Sequence, residues 1–428
     1  MKLKNLIINA TSMFYKEDDW IVMTFWNSLY IAFFLLPLGI NLPTPFFVIS
    51  IIFGVIMMFR SDKSFILDNK ILLLFPAYFV VMSLGLIYTD NLSSGFDLIQ
   101  RSLTLLLFPI IFLFVKEDAT TVRKLFDFLL VGLLVSFCFN FFCATNNLLQ
   151  YAINDKEGIN TFSFIERLIK GRNYFFIGSS LSRAVNANYI SIYILLVLSY
   201  YLKNKLQTRL QMVVIFVLFL YLFLLASIAA YVILAIMAIL LIVNIKDKQK
   251  KYTMIIMFMM GVFLFASNPR VSDFYVRIKS FNETLDYENT TSEKSRVLSW
   301  DASIKLIKEA PILGYGVGDA NDVLIKKYKE LNYTFNHKNK YNSHNQFLQT
   351  YLQTGIVGFG ILVSIFILLG MRMKRSRNEF SVFLILFISL LFESMLVRFN
   401  GIVFFSIVIP LLLKKRSILS SRIIRNEQ

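Results

Sequence analysis

Cysteine and histidine are nearly absent from the 428-residue chain, with two of each. Cys138 and Cys143 stand five apart inside one apolar run and point different ways on the helix expected there. That placement excludes a disulfide framework and leaves both as packing residues. His337 and His344, with no acidic cluster beside them, do not make a zinc site, so no metal and no cofactor is expected. Charge is also scarce: charged residues are 17% and apolar ones 57%, against about 25% and 45–50% in soluble domains. With a mean hydropathy of +0.63, two soluble domains are excluded. No low-complexity tract and no internal repeat is visible. A cleavable signal peptide is not expected either, because Glu17, Asp18 and Asp19 precede the first apolar run at Trp20, which reads as a retained span.

What the chain has instead is a succession of long apolar runs. A helix needs roughly 17–25 mainly apolar residues to cross a bilayer. Runs of that kind fall near 20–40, 44–60, 71–88, 102–116, 126–146, 187–202, 210–226, 228–245, 252–267, 353–371, 380–397 and 401–413. They predict an all-α, polytopic membrane bundle of about twelve spans. The pair 210–226 and 228–245 must turn tightly around Ser227. The net charge of +17 comes in short basic clusters between runs, which set topology and meet anionic headgroups; nucleic acid is not the expected partner. Clusters such as Arg60, Lys63 and Lys70, or Lys246, Lys248, Lys250 and Lys251, alternate with connections near 41–43, 227 and 398–400 that carry almost none. The asymmetry predicts that both termini are cytoplasmic.

Two longer segments then face outward, about 147–186 and 268–347. The chain divides accordingly into 1–267 with nine spans, 268–347 as a large loop, and 348–428 with three spans and a basic cytoplasmic tail. Within the large loop, Val297, Leu298, Trp300, Ala302, Ile304 and Ile307 predict an amphipathic helix ended by Pro311. Gly314, Gly316 and Gly318 follow at alternate positions, a pattern that permits positive φ or close backbone approach. No Lys-Ser/Thr follows them, so they are only loosely like a phosphate loop. A second helix is expected from Asp319 or Asn321 to Leu331. His337 lies in an Asn/Lys-rich turn and reads as a solvated loop residue. A third helix is expected after Ser343 as its cap, with His344, Asn345, Gln346, Gln349 and Gln353 on it.

Taken together, Ser295-Arg296 … Trp300 … Pro311-Ile312-Leu313-Gly314-Tyr315-Gly316-Val317-Gly318 … Ser343-His344-Asn345-Gln346 … Gly355-Ile356-Val357-Gly358 resembles the signature of the O-antigen ligase and polymerase superfamily. The matched stretch covers roughly 290–360. Arg183-Ala184-Val185-Asn186 resembles an Arg and Asn that enter a span in that family. Glu393 … Arg398 … Gly401 resembles a late-helix pattern of some members. The chain departs from the family at Ser227-Ile228, where many members carry Ser-Arg; a cationic contact is missing there or is supplied by Arg183.

The resemblance implies a GT-C-like bundle with a large periplasmic helical loop, in the bacterial inner membrane. It implies transfer of a glycan from an undecaprenyl-diphosphate carrier to a sugar hydroxyl, on lipid A-core or a similar acceptor, at the periplasmic face. The chemistry explains the residue types. A glycosyl diphosphate develops charge on its leaving group, and Arg stays charged and can hold two phosphate oxygens. An acceptor hydroxyl needs a base, and neutral His is suited to that near pH 7. His344 is therefore the expected base, with Arg296 and Arg183 on the diphosphate. Asn345, Tyr315 and Asn186 are candidates for orienting substrate, as are Glu393 and Arg398, which also read as a structural ion pair. A polymerase of lipid-linked repeat units would use the same donor; protein O-glycosylation is a further variant. A lipid-linked glycan transporter would place charges near the midplane in repeated halves, and neither is visible.

Overall fold

The computed structural model describes residues 14–60, 69–115, 117, 119–154, 175–201, 208–243, 245–268, 292–374 and 377–414. Among them are fifteen α-helices, three short 3-10 turns and no strand. The helices are α1 (Trp20–Leu35), α2 (Thr44–Arg60), α3 (Leu74–Leu84), α4 (Leu92–Phe114), α5 (Ala119–Asn154), α6 (Ala187–Tyr201), α7 (Arg209–Leu225), α8 (Ile228–Val243) and α9 (Lys248–Ala266). After them come α10 (Ser292–Glu309), α11 (Ala320–Glu330), α12 (Thr334–Asn339), α13 (Gln346–Met373), α14 (Arg377–Phe392) and α15 (Phe399–Leu413). A helix stands over each of the twelve apolar runs. Four stretches, Asn69–Tyr88, Leu92–Phe114, Thr120–Tyr151 and Gln346–Met373, are long and apolar enough to cross a membrane, and seven shorter apolar helices accompany them. The ninth run forms α9 but is not in that set, because Lys248, Lys250 and Lys251 fill its first turn and shorten the apolar part.

The chain forms two compact units. One comprises Tyr30–Pro45 and Leu125–Val276. Its core is held by side-chain hydrogen bonds of the kind that join helices where water is absent. The Asn140 amide donates to the Tyr221 hydroxyl at 2.8 Å, and the Ser136 hydroxyl donates to the Pro37 carbonyl at 2.9 Å. The tight turn expected at Ser227 is present: Ala226 ends α7 at φ 48, and the Ser227 hydroxyl donates to the Asn188 side-chain oxygen at 2.9 Å. The cysteines are free, and Cys138 is exposed on α5 instead of packed. α5 itself runs on to Asn154, past the expected end of the fifth span.

The other unit comprises Met1–Leu29, Phe46–Lys124 and Arg277–Gln428. α15 is its central helix: every residue from Asn400 to Leu413 is buried, as a helix apolar all round demands. It packs on α4, which in turn packs on α3. α13 breaks at Gly355, whose φ of 60 and ψ of −156 only glycine tolerates. A Cβ there would sit 2.0 Å from the Ile312 carbonyl oxygen. Phe347 before the break meets Phe366 after it at 5.8 Å, so the two halves of α13 fold back on each other. The first half carries Gln346, Gln349, Thr350 and Gln353, all buried.

The segment before α13 packs a small core, built from Ala302, Leu306, Ala320, Leu324 and Tyr328, against Leu352 of α13. α10 and α11 lie where expected, but the inward side of α10 also takes in small serines and leaves out two of the six apolar residues. Val297 and Ile304 are about half exposed (49% and 46%), while Ser295, Ser299 and Ser303 are buried beside Ala302 and Leu306. The reason is close approach by Asn336, whose amide donates to the Ser295 carbonyl at 2.7 Å and the Ser299 hydroxyl at 2.9 Å. Larger residues on that face would not admit it. The Asn/Lys-rich turn holds the short helix α12, and His337 is half-buried, with Nδ1 3.1 Å from the Ile325 carbonyl. It is a structural residue, not a solvated one.

The glycine run docks on the α3–α4 connection. Thr89 Oγ1 accepts the N–H groups of Gly318 and Asp319, each at 3.1 Å, and the Asp319 carboxylate accepts those of Asp90 and Asn91, each at 2.7 Å. Gly316 has φ 85, and a Cβ on Gly318 would fall 2.1 Å from the Asn91 carbonyl oxygen. The three glycines serve backbone contact within the protein.

Candidate functional site

His344 occupies the left-handed region at φ 47, uncommon for a residue with a Cβ and a mark of local constraint. Asn342 supports it: its side-chain oxygen accepts the His344 N–H at 3.0 Å. The Tyr341 ring meets the imidazole edge-on at 5.1 Å. Nδ1 of His344 lies 3.8 Å from Glu393 Oε1, with side chains only 15% and 9% exposed. That separation is an ion-pair distance, too long for a hydrogen bond. Nδ1 is sealed from solvent with no hydrogen-bond partner, so the accessible edge of the ring carries Nε2.

Glu393 follows the last turn of α14, outside the helix. Burial pushes its carboxyl up, but His344, Arg296 and Arg398 together override burial and hold it below the usual carboxylate range. Four ionisable residues from three separate stretches therefore share one electrostatic site. Arg296 and Trp300 stand one turn apart on α10, on the same side of the helix. The Trp300 ring lies 6.3 Å from Phe392, next to Glu393. Arg296 Nε and Trp300 Nε1 are both buried without a hydrogen-bond partner among the described residues. Native interiors hold few such groups, and each calls for an explanation; three of them, counting His344 Nδ1, lie at this site.

Most of the remaining residues singled out from sequence serve other contacts. Asn345, not Ser343, caps α13, with its side-chain oxygen accepting from Phe347 and Leu348 at 2.9 and 3.2 Å. Tyr315 donates its hydroxyl to the Leu306 carbonyl at 3.0 Å and its N–H to the Leu352 carbonyl at 2.7 Å, which places it in the small core of the segment. The aromatic partner of His344 is Tyr341, which carries no motif signal. Arg398 is exposed and its carbonyl accepts from Gly401 and Ile402 at the start of α15. Arg183 and Asn186 belong to the second unit. Arg183 is exposed there, and Asn186 caps α6 by accepting the Asn188 N–H at 2.9 Å. Among the described residues no group of histidine, cysteine or carboxylate side chains is placed to hold a metal.

A family model described as O-antigen ligase matches residues 213–363. The match runs from α7 into α13 and contains Arg296, Tyr315, His344 and Asn345; Arg183, Asn186, Glu393 and Arg398 lie outside it. The resemblance carried by the 290–360 motif is thereby borne out. No curated protein matches the chain.

Proposed function

We propose, from the O-antigen ligase match over residues 213–363, that this protein transfers a glycan from undecaprenyl diphosphate to a sugar hydroxyl, on lipid A-core or a similar surface acceptor. The transfer takes place at the periplasmic face of the inner membrane. His344 Nε2 removes the acceptor proton, the freed oxygen bonds to the anomeric carbon, and the bond to the diphosphate breaks with its electrons on the leaving group. Arg296 neutralises that charge. Glu393 faces Nδ1 and stabilises the imidazolium formed when Nε2 takes the proton. The observation that carries this reading is the buried His344–Glu393 pair, with Arg296 and Arg398 acting on the same carboxylate.

The test is genetic. The gene is deleted in its host and complemented with wild type or His344→Ala, and surface polysaccharide and lipid-linked intermediates are resolved on gels. Loss of the base is expected to cost about 10²-fold or more in rate, enough to prevent complementation at normal membrane levels. A deletion strain that lacks polymer on its acceptor while full-length polymer accumulates on the carrier supports the ligase. A single repeat unit accumulating on the carrier, or on lipid A-core, makes the enzyme a polymerase. Full complementation by His344→Ala removes the base from the mechanism.

A further inference from the structure

We infer that Gln346 and the Ser343–Ser394 hydroxyl pair are positioning residues that hold Glu393 against His344. The inference rests on the reading of His344 as base and adds what keeps its carboxylate in place. His344 and Glu393 come from irregular stretches, one before α13 and one after α14, so neither is placed by a helix of its own. Two links bracket them. Ser343 Oγ and Ser394 Oγ, the immediate neighbours of the pair, are 3.2 Å apart. Beyond them, the Leu396 N–H donates to Gln346 Oε1 at 2.6 Å.

Each link is anchored further. The Gln346 amide donates to Thr350 Oγ1 at 3.0 Å, and Thr350 shares a proton with the Tyr78 hydroxyl of α3 at 2.9 Å. Ser343 donates its N–H to Gln349 Oε1 at 3.2 Å, and Gln349 in turn donates to Asn321 Oδ1 at 3.0 Å. Ser343, Gln346, Gln349, Thr350, Ser394 and Tyr78 are all 0% exposed. A buried polar network in which each side-chain oxygen has a partner favours one arrangement, whereas apolar side chains would slide past each other. That is why a polar seam sits where a membrane bundle would otherwise be packed with aliphatic residues. It registers the 393–398 segment, which also carries Arg398, on the start of α13.

The chain has only two histidines, so 15N-histidine labelling of the full-length protein in nanodiscs gives two ring systems, and His337→Gln identifies that of His344. Glu393→Gln is expected to move the His344 Nδ1 resonance, because the carboxylate beside it is gone. Gln346→Met, which keeps length and removes the acceptor, is expected to move it in the same direction, and to add nothing in the Glu393→Gln background. Gln346→Glu, which retains an acceptor for the Leu396 N–H, is expected to restore most of the wild-type position. Should Gln346→Met fail to fold, Ser394→Ala carries the same expectation. Folded variants with unmoved His344 resonances, or equal shifts with and without Glu393, overturn the inference. The readout needs no substrate, so the inference can fail while the complementation result stands, and the reverse.

Discussion

Glu393 holds a charge where burial disfavours one, and the consequence is a pH dependence of stability. Its pKa in the fold lies below its ordinary value of 4.5. The stabilisation it contributes is therefore present above that value and is lost as pH falls through the lowered one. Thermal unfolding followed from about pH 6 to about pH 3 should show a falling midpoint only in the acid part. Glu393→Gln should flatten that fall; an unchanged slope would separate Glu393 from its cationic neighbours. At this scale the sequence exposed about half of the site. His344 and Arg296 stand inside a recognisable motif. Tyr341 does not, because one tyrosine in an Asn/Lys-rich stretch looks like any other until the chain folds its ring onto His344. Asn345 and Asn186 look like polar contacts for a substrate and turn out to cap helices, a use that any asparagine before a helix can have.

Among the elements, the helices were legible and their breaks were not. Apolar length alone marked a helix at each of the twelve runs, since a bilayer leaves the backbone few other options. The fold-back at Gly355 had no such signal: Thr354-Gly355-Ile356-Val357-Gly358 reads as the ordinary entry to a span. The buried side of α10 was legible only in part, because small serines face Asn336 beside the apolar residues. Where α15 ends, Lys414 donates to the Val115 carbonyl at 2.9 Å and pairs with Glu117, both side chains nearly sealed at 2% and 4% exposure. Arg372 of α13 donates to the Lys414 carbonyl at 2.7 Å. Removing one member of such a pair strands the other charge, at a cost of about 3–5 kcal/mol, whereas replacing both can be neutral. Lys414→Met should therefore lower the unfolding midpoint more than the double variant Lys414→Met, Glu117→Leu. Additive losses would mean that the pair contributes as two separate contacts.

For the whole molecule, one of the two compact units brings early and late helices of the chain together, with α4 packed on α15. No local pattern announces that grouping, because it depends on contacts between residues hundreds of positions apart. Charge distribution, by contrast, is a property a sequence displays openly. The basic clusters at 60–70 and 246–251 and the segment 292–345 belong to opposite sides of a membrane if Lys and Arg set orientation. Reporter fusions decide this: alkaline phosphatase joined within 292–345 should be active, and within 246–251 inactive, with green fluorescent protein at the C-terminus fluorescent. The side matters to the chemistry as well as to the topology. On the outer face nucleotide sugars are absent, so an activated glycan must arrive on a lipid diphosphate, and cations such as Arg296 are what its departing charge needs. Phosphatase activity at 246–251 and none at 292–345 would put the His344–Glu393 pair in the cytoplasm, where soluble sugar nucleotides are at hand and that reason for a lipid-diphosphate donor no longer applies.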